Sequence, residues 1–325
     1  MENSVQLAVV GCGRWGINHV RTAHALLGEN LCRVFDSNPS AKSRVEQISP
    51  SIPFTTDQLQ ILNDSTINAV IIATPAESHF AIAKECLENG KNVLVEKPIT
   101  LRSEEAQQLV DLARSKNLAL MVGHVLLYHP AIVAVKNLII DGKIGLLQYI
   151  YSNRLNLGAL RSEENVLWSF APHDISVIQY ITESAPVRIT SNGAHHLQHG
   201  IEDTTLTYLE YPNNVHAHIF VSWLHPFKEQ RLVVIGDKGM LVFEDSISND
   251  KLKFYPKGFT KKESGFEKFE GEFEVVPFGN QQPLAEEHKH FYDCIINRKT
   301  PLTDGVHALE VLRILEQATM RLNHV

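Results

Sequence analysis

Directly after an apolar run at 5–10, the chain reads Gly11-Cys12-Gly13-Arg14-Trp15-Gly16, a G-x-G-x-x-G pattern. Such a turn brings backbone N–H groups close to a pyrophosphate: the first glycine makes the tight bend, the second leaves room for the ligand, and the third lets the next helix pack on the sheet. Asp36 lies 20 positions after Gly16, where a carboxylate can accept the adenosine ribose hydroxyls of a dinucleotide. An acid there repels a 2′-phosphate, so NAD is expected over NADP, although Arg14 would tolerate a phosphate. A second reactive position is Lys97, in Glu96-Lys97-Pro98. A lysine at the carboxyl end of a sheet strand faces the ligand crevice, and the alternative is a solvated loop lysine. A third group is basic: Arg154 and Arg161, with Asn153 and Asn156, in Asn153-Arg154-Leu155-Asn156-Leu157-Gly158-Ala159-Leu160-Arg161. The planar fork of arginine suits phosphate oxygens, so an anionic substrate is one reading; ion pairing with Glu163 and Glu164 is the other.

These groups need elements to hold them. Apolar strand-like runs at 5–10, 31–35, 68–73, 91–95 and 118–122 alternate with helical stretches, including 17–27 and 77–89. Strands apolar on both faces and separated by helices imply a doubly wound parallel sheet. From Gly123 onward the pattern changes to a helix at 130–140, followed by alternating runs at 147–156, 186–194, 204–211, 215–223, 231–235 and 240–243. Turn signals at Pro212-Asn213-Asn214 and Gly236-Asp237-Lys238-Gly239 make these antiparallel. The expected fold class is therefore α/β: a Rossmann domain at 1–122 and an α+β domain with a large, mostly antiparallel open sheet at 123–325. The last helical stretch, 302–322, could return to the first domain.

Composition limits the rest. The chain has 325 residues, enough for about two domains. Hydrophobic residues make up 44% and charged residues 21%, and the formal net charge is −7, which argues against a nucleic-acid partner. No apolar run approaches the ~18 residues of a membrane span, and the N-terminus lacks a signal-peptide pattern, so no membrane partner is expected. Four cysteines without a C-x-x-C fit a cytoplasmic protein. Sixteen histidines invite a metal, but none falls in an H-E-x-x-H pattern, and no metal is expected.

Taken together, the glycine fingerprint, Ala73-Thr74-Pro75 with Ser78-His79, and Glu96-Lys97-Pro98 resemble the Gfo/Idh/MocA family of sugar and cyclitol dehydrogenases over nearly the whole chain. The resemblance implies that Lys97 contacts both nicotinamide and substrate, that Thr74 and Pro75 pack near the nicotinamide, and that His79 lies near the cofactor. It implies further that His173, in Ala171-Pro172-His173-Asp174, begins a helix, faces the cofactor and acts as acid/base, a task that an imidazole with an ordinary pKa near 6.5 suits. A helix-start histidine that merely caps backbone groups is the plainer alternative. Lys97 and His173 are then expected to serve one substrate. Many relatives carry an aspartate four residues before this histidine, where this chain has Ser169, so the base is either His173 or Lys97. Asp174 would orient a partner or cap the helix, and Tyr128 falls where relatives line the sugar pocket.

The string Asn-Leu-Gly…Arg…Asn-Val-Leu-Trp…Ala-Pro-His-Asp resembles members that act on nucleotide-linked sugars. This implies NAD-dependent oxidation of a nucleotide sugar, UDP-N-acetylglucosamine at its 3-hydroxyl, for amino-sugar synthesis. The substrate would be held by Lys97, Tyr128, Arg154, Asn156, Arg161, His173 and Asp174. A free polyol such as myo-inositol, a ketosugar reduced in the reverse direction, a redox-neutral use of tightly held NAD, and a non-catalytic dinucleotide sensor are the alternatives. The family's open sheet face implies a homodimer or homotetramer.

Overall fold

The computed structural model describes residues 4–158 and 160–324, and it divides into two compact units. One comprises the chain up to Tyr128 together with Gln281–Leu312; the other comprises His129–Asn280 and the residues after Leu312.

The first unit is built on six strands: β1 (Leu7–Val10), β2 (Leu31–Phe35), β3 (Phe54–Thr55), β4 (Ala69–Ile72), β5 (Asn92–Val95) and β6 (Leu120–Val122). Their order is β3-β2-β1-β4-β5-β6 and every pair is parallel. All residues of β1 and β4 are buried, as strands covered on both faces require. The connecting helices are α1 (Gly16–Leu27), α2 (Lys42–Glu46), α3 (Leu59–Leu62), α4 (His79–Glu88) and α5 (Ser103–Lys116). The order of strands reverses between β1 and β4, so the loops that follow these two strands flank the crevice of a doubly wound sheet. The later segment adds α8 (Pro283–Asn297), which packs on α1 and on the turn Val125–Tyr128. Next to it, Thr303 accepts from the Val122 N–H at 2.8 Å and donates its hydroxyl to the Val122 carbonyl at 2.7 Å.

The second unit holds α6 (Pro130–Ile140), α7 (Val166–Thr182) and a nine-stranded sheet. Its strands are β7 (Leu147–Leu155), β8 (Arg188–Ala194), β9 (Thr204–Tyr211), β10 (Val215–Ser222), β11 (Glu229–Gly236), β12 (Met240–Glu244), β13 (Leu252–Tyr255), β16 (Glu274–Val275) and β17 (Leu322–His324). A separate hairpin, β14 (Lys257–Lys262) with β15 (Gly265–Glu270), precedes β16. Pairing is antiparallel except for β7 with β10 and β8 with β17. Alternation such as buried Leu209 and Tyr211 against outward Tyr208 and Glu210 gives the sheet one core face, on which α7 lies. The final helix, α9 (Gly305–Met320), begins in the first unit and ends in the second. Among the described residues, no helix is long and apolar enough to cross a membrane.

Candidate active site

The turn after β1 has the geometry its glycines suggest. Gly11 sits at φ +89°, and a Cβ there would lie 2.8 Å from the Ala73 carbonyl oxygen and 2.9 Å from Thr74 Cγ2. A Cβ at Gly16 would lie 2.1 Å from the Gly11 oxygen, so this first residue of α1 has to be glycine for the turn to close. Gly13 faces open space, with nothing within 4 Å of where a Cβ would be, as a backbone that receives a pyrophosphate requires. Exposed Arg14 and Trp15 border it. These residues fit a dinucleotide at the start of α1.

Asp36, at the end of β2, is hydrogen-bonded within this turn. Its Oδ2 accepts from the Cys12 N–H at 2.9 Å and its Oδ1 from the Asn38 N–H at 2.9 Å. These bonds fix the carboxylate and leave lone pairs for ribose hydroxyls. Burial, the Asp36 charge and the bond from Cys12 Sγ push the Cys12 thiol up to about 12, so it is inert.

After β4, Thr74 lies against Gly11, accepts from Ser78 Oγ at 2.7 Å, and is followed by exposed Pro75. His79 is buried, and its two ring nitrogens reach the carbonyl oxygens of Pro98 at 2.7 Å and Thr74 at 2.9 Å. It therefore ties the loop after β4 to the loop after β5, and acts on any ligand through Thr74 and the Lys97-Pro98 turn, whose peptide bond is cis. Lys97 is half-buried, beside its neighbour Glu96.

Glu96 is the most heavily engaged residue of this cluster. Its Oε1 accepts from Trp15 Nε1–H at 2.6 Å and lies 2.8 Å from His19 Nε2, and its Oε2 accepts the Lys97 N–H at 3.2 Å. His19 Nδ1 lies 2.9 Å from His288 Nε2, and His288 Nδ1 lies 3.0 Å from the Tyr292 hydroxyl. A Cβ at Gly123 would come within 2.9 Å of Glu96 Oε1, so a glycine is needed there for the carboxylate to fit. Burial opposes the charged form of Glu96, but the His19 bond and charge, Trp15 and the Lys97 ammonium outweigh it and hold the carboxyl below its usual range. Burial, then the neighbouring charge of Glu96, push the Glu287 carboxyl well above its usual range; among the described residues, neither of its oxygens has a hydrogen-bond partner. Burial and His19 push the His288 imidazole well down, and burial alone takes His307 to about 4.

His19, Gly123, Glu287 and His288 escape a reading of the sequence alone. The only signal was a histidine in the Glu286-Glu287-His288-Lys289-His290 stretch, where composition suggests a metal. Among the described residues, no group of three or more His, Cys, Asp or Glu side chains is placed to hold a metal ion. Tyr128 is buried and donates its hydroxyl to Thr303 Oγ1 at 3.2 Å.

The second unit carries the other expected residues, and here the helix differs from expectation. His173 does not begin a helix: α7 starts seven residues earlier, at Val166, capped by Asn165, whose Oδ1 accepts the Trp168 N–H at 3.2 Å. The histidine is therefore a mid-helix side chain and not a cap. Pro172 is accommodated inside the helix at the loss of one backbone bond, with α7 packed along the sheet. Ser169 is buried and shares a helix face with half-buried His173.

Asp174 does not cap the helix either. It is buried and receives Arg154 bidentately, Nε at 2.8 Å and Nη2 at 3.0 Å, with Ser152 Oγ donating at 2.6 Å. The charge of Arg154 is thus neutralised inside the protein. Arg161 is exposed and pairs with Glu164 at 3.0 Å. Asn156 is half-buried at the end of β7, its N–H bonded to the Ser222 carbonyl at 3.1 Å. Ala159 lies outside the described residues.

Comparison with known proteins matches both units. Residues 5–124 match the Gfo/Idh/MocA oxidoreductase family in its NAD-binding Rossmann fold, and residues 132–242 match the GFO/IDH/MocA C-terminal domain. The scyllo-inositol 2-dehydrogenase (NAD(+)) of Bacillus subtilis is 26% identical over 98% of this chain and 94% of its own. The UDP-N-acetylglucosamine 3-dehydrogenase of Acidithiobacillus ferrooxidans is 29% identical over 58% of each chain. A solved structure of the latter enzyme, GnnA, superposes with a TM-score of 0.82 over 97% of both chains at 24% identity, a likeness of fold. With the glycine turn, Asp36 and Lys97 in place, the chain belongs to the Gfo/Idh/MocA oxidoreductase family, and it is an NAD-dependent dehydrogenase acting on CH–OH groups.

Proposed function

We propose that this dehydrogenase oxidises a ring hydroxyl of a nucleotide-linked sugar, UDP-N-acetylglucosamine at C3, to the 3-keto sugar, which an aminotransferase then consumes. NAD, when bound, supplies the hydride acceptor. Lys97 or His173 takes the hydroxyl proton, and the Lys97 ammonium, if it is not the base, offsets charge that develops on the oxygen.

The observation that carries the anionic substrate is the exposed guanidinium of Arg161, whose side chain is 57% accessible. Its ion pair to Glu164 is a surface pair worth about 0–1 kcal/mol, which a diphosphate displaces readily. The 29% identity to the UDP-N-acetylglucosamine enzyme supports the same reading. A second reading, an uncharged cyclitol, is favoured by Arg154, which is committed to Asp174, and by the near full-length match to the inositol enzyme.

The test is NADH formation with UDP-N-acetylglucosamine, other UDP-sugars and inositols, with NAD and NADP in parallel, for the native chain and Arg161→Ala. We expect turnover of the UDP-sugar, with KM raised about tenfold in the variant, equivalent to one lost charge-assisted contact of about 1.4 kcal/mol. Turnover of inositol alone, unchanged in Arg161→Ala, selects the cyclitol.

The same reading includes a homodimer or homotetramer formed through the open face of the nine-stranded sheet. Tyr149, Tyr151, Tyr208, His216 and His218 lie together on that face: His216 is opposite Tyr149, and His218 is opposite both Tyr151 and Tyr208. They make a half-exposed aromatic patch of the kind enriched at interfaces. Sedimentation should give a dimer or larger, and Tyr151→Glu should shift it towards monomer; a monomeric native chain excludes this assembly. The four free thiols accord with a cytoplasmic setting.

A further inference from the structure

We propose that Glu96 is a positioning residue for both the glycine turn and Lys97, and that the buried chain His19–His288–Tyr292, which ends on α8, holds it in place. This rests on the reading of the first unit as the NAD site with Lys97 as its reacting lysine.

The argument begins with donors and acceptors. A carboxylate only accepts, so His19 Nε2 must carry the proton that meets Glu96 Oε1 at 2.8 Å. Either His288 Nε2–H donates to His19 Nδ1 at 2.9 Å and His288 Nδ1 accepts the Tyr292 O–H at 3.0 Å, or His19 Nδ1–H donates to His288 Nε2 and His288 Nδ1–H donates to the Tyr292 oxygen; in both arrangements the chain closes with every ring nitrogen satisfied. His288, which burial keeps neutral, and Tyr292, whose hydroxyl burial keeps protonated, match these roles. The groups facing Glu96 are thus Trp15 and His19 from the glycine turn and α1, Lys97 from its own loop, and from α8 the neutral Glu287.

Two consequences follow for ligand and chemistry. Trp15 is 45% exposed beside the open space at Gly13, and its indole N–H donates to Glu96, so the carboxylate orients an exposed ring at the cofactor turn. The same carboxylate receives the backbone of Lys97. A helix whose His288 lies 269 residues after His19 therefore determines how both are set. Buried hydrogen-bonded chains of this kind act as a unit, because removal of one member leaves its neighbour's polar atom unpaired in a low dielectric.

The test uses the full chain with His288→Leu, His288→Asn and His288→Gln. Glutamine carries one donor and one acceptor with the reach to meet His19 and Tyr292, asparagine is one methylene too short, and leucine has neither group. NAD binding is measured by calorimetry, turnover by NADH formation on the substrate identified above, and the thermal midpoint alongside.

We expect His288→Leu and His288→Asn to weaken NAD binding by about tenfold and to lower kcat by about tenfold, with His288→Gln within about threefold of native in both, as loss and restoration of one buried hydrogen bond predict. If leucine does not fold, the asparagine–glutamine pair carries the comparison. The proposal is overturned if all three variants bind NAD as the native chain does, or if glutamine is as impaired as leucine and the losses follow the thermal midpoint. A native chain that binds NAD but oxidises no sugar defeats the dehydrogenase reading alone, and the binding comparison still decides the role of His288.

Discussion

Lys97→Met is expected to lower kcat by about 10²- to 10⁴-fold while the Kd for NAD changes by less than about threefold. Methionine keeps the length and apolar stem of the side chain and deletes the ammonium. The Lys97 N–H still reaches Glu96, and Trp15 and His19 still hold that carboxylate, so the cofactor turn keeps its shape. What is lost is a group that either accepts the hydroxyl proton or offsets charge on the oxygen, and such groups contribute in the transition state more than in binding. Initial NADH rates with calorimetric NAD titration measure both quantities. His173→Asn makes the comparison complete: whichever variant loses the acidic limb of the pH–rate profile identifies the base. A Lys97→Met protein with native kcat removes this lysine from the chemistry.

The second large effect is on stability. Glu287→Gln should stabilise the protein, by near zero at about pH 4 and by a margin that grows as pH rises above the unfolded carboxyl pKa. Glu287 is wholly buried on α8, with both carboxyl oxygens unpartnered among the described residues and the negative charge of Glu96 close by. Burial, then Glu96, raise its carboxyl above the unfolded value, so the folded chain keeps a proton that the unfolded chain releases. A raised carboxyl therefore loses stability as pH rises above the unfolded pKa of about 4.3, by about 1.4 kcal/mol per pH unit until the folded group ionises. Glutamine has the same shape and does not titrate, so the variant is free of this loss.

The buried imidazoles work in the opposite direction. Burial lowers His124, His288 and His307, and their contribution is lost as pH falls below about 6.5. Those terms are common to the two proteins and cancel in the difference. Urea unfolding of both chains across this range measures the gap, and a gap that does not grow with pH would falsify the protonated state of Glu287.

Some of this was readable from the residues in order. The turn Gly11-Cys12-Gly13-Arg14-Trp15-Gly16 could be assigned because its demands are local: a positive φ at Gly11 and a carbonyl 2.1 Å from any Cβ at Gly16 are set within six residues. The alternation of apolar runs and helices was enough for a parallel sheet, since strands covered on both faces have to be apolar throughout. The helix start expected at His173 came from the family resemblance and did not hold: α7 begins at Val166, and His173 lies eight residues beyond the Asn165 cap with Pro172 inside the helix.

The amino-acid sequence by itself determined the fold class and the geometry of the glycine turn, because each depends on steric rules or patterns spanning a few residues. The tertiary structure alone decided which charges meet. It gave Arg154 to Asp174, left Arg161 at the surface, and brought His288 against His19 to brace Glu96. Partners so far apart in the chain are chosen by packing in three dimensions, and no local pattern of residue types encodes that choice.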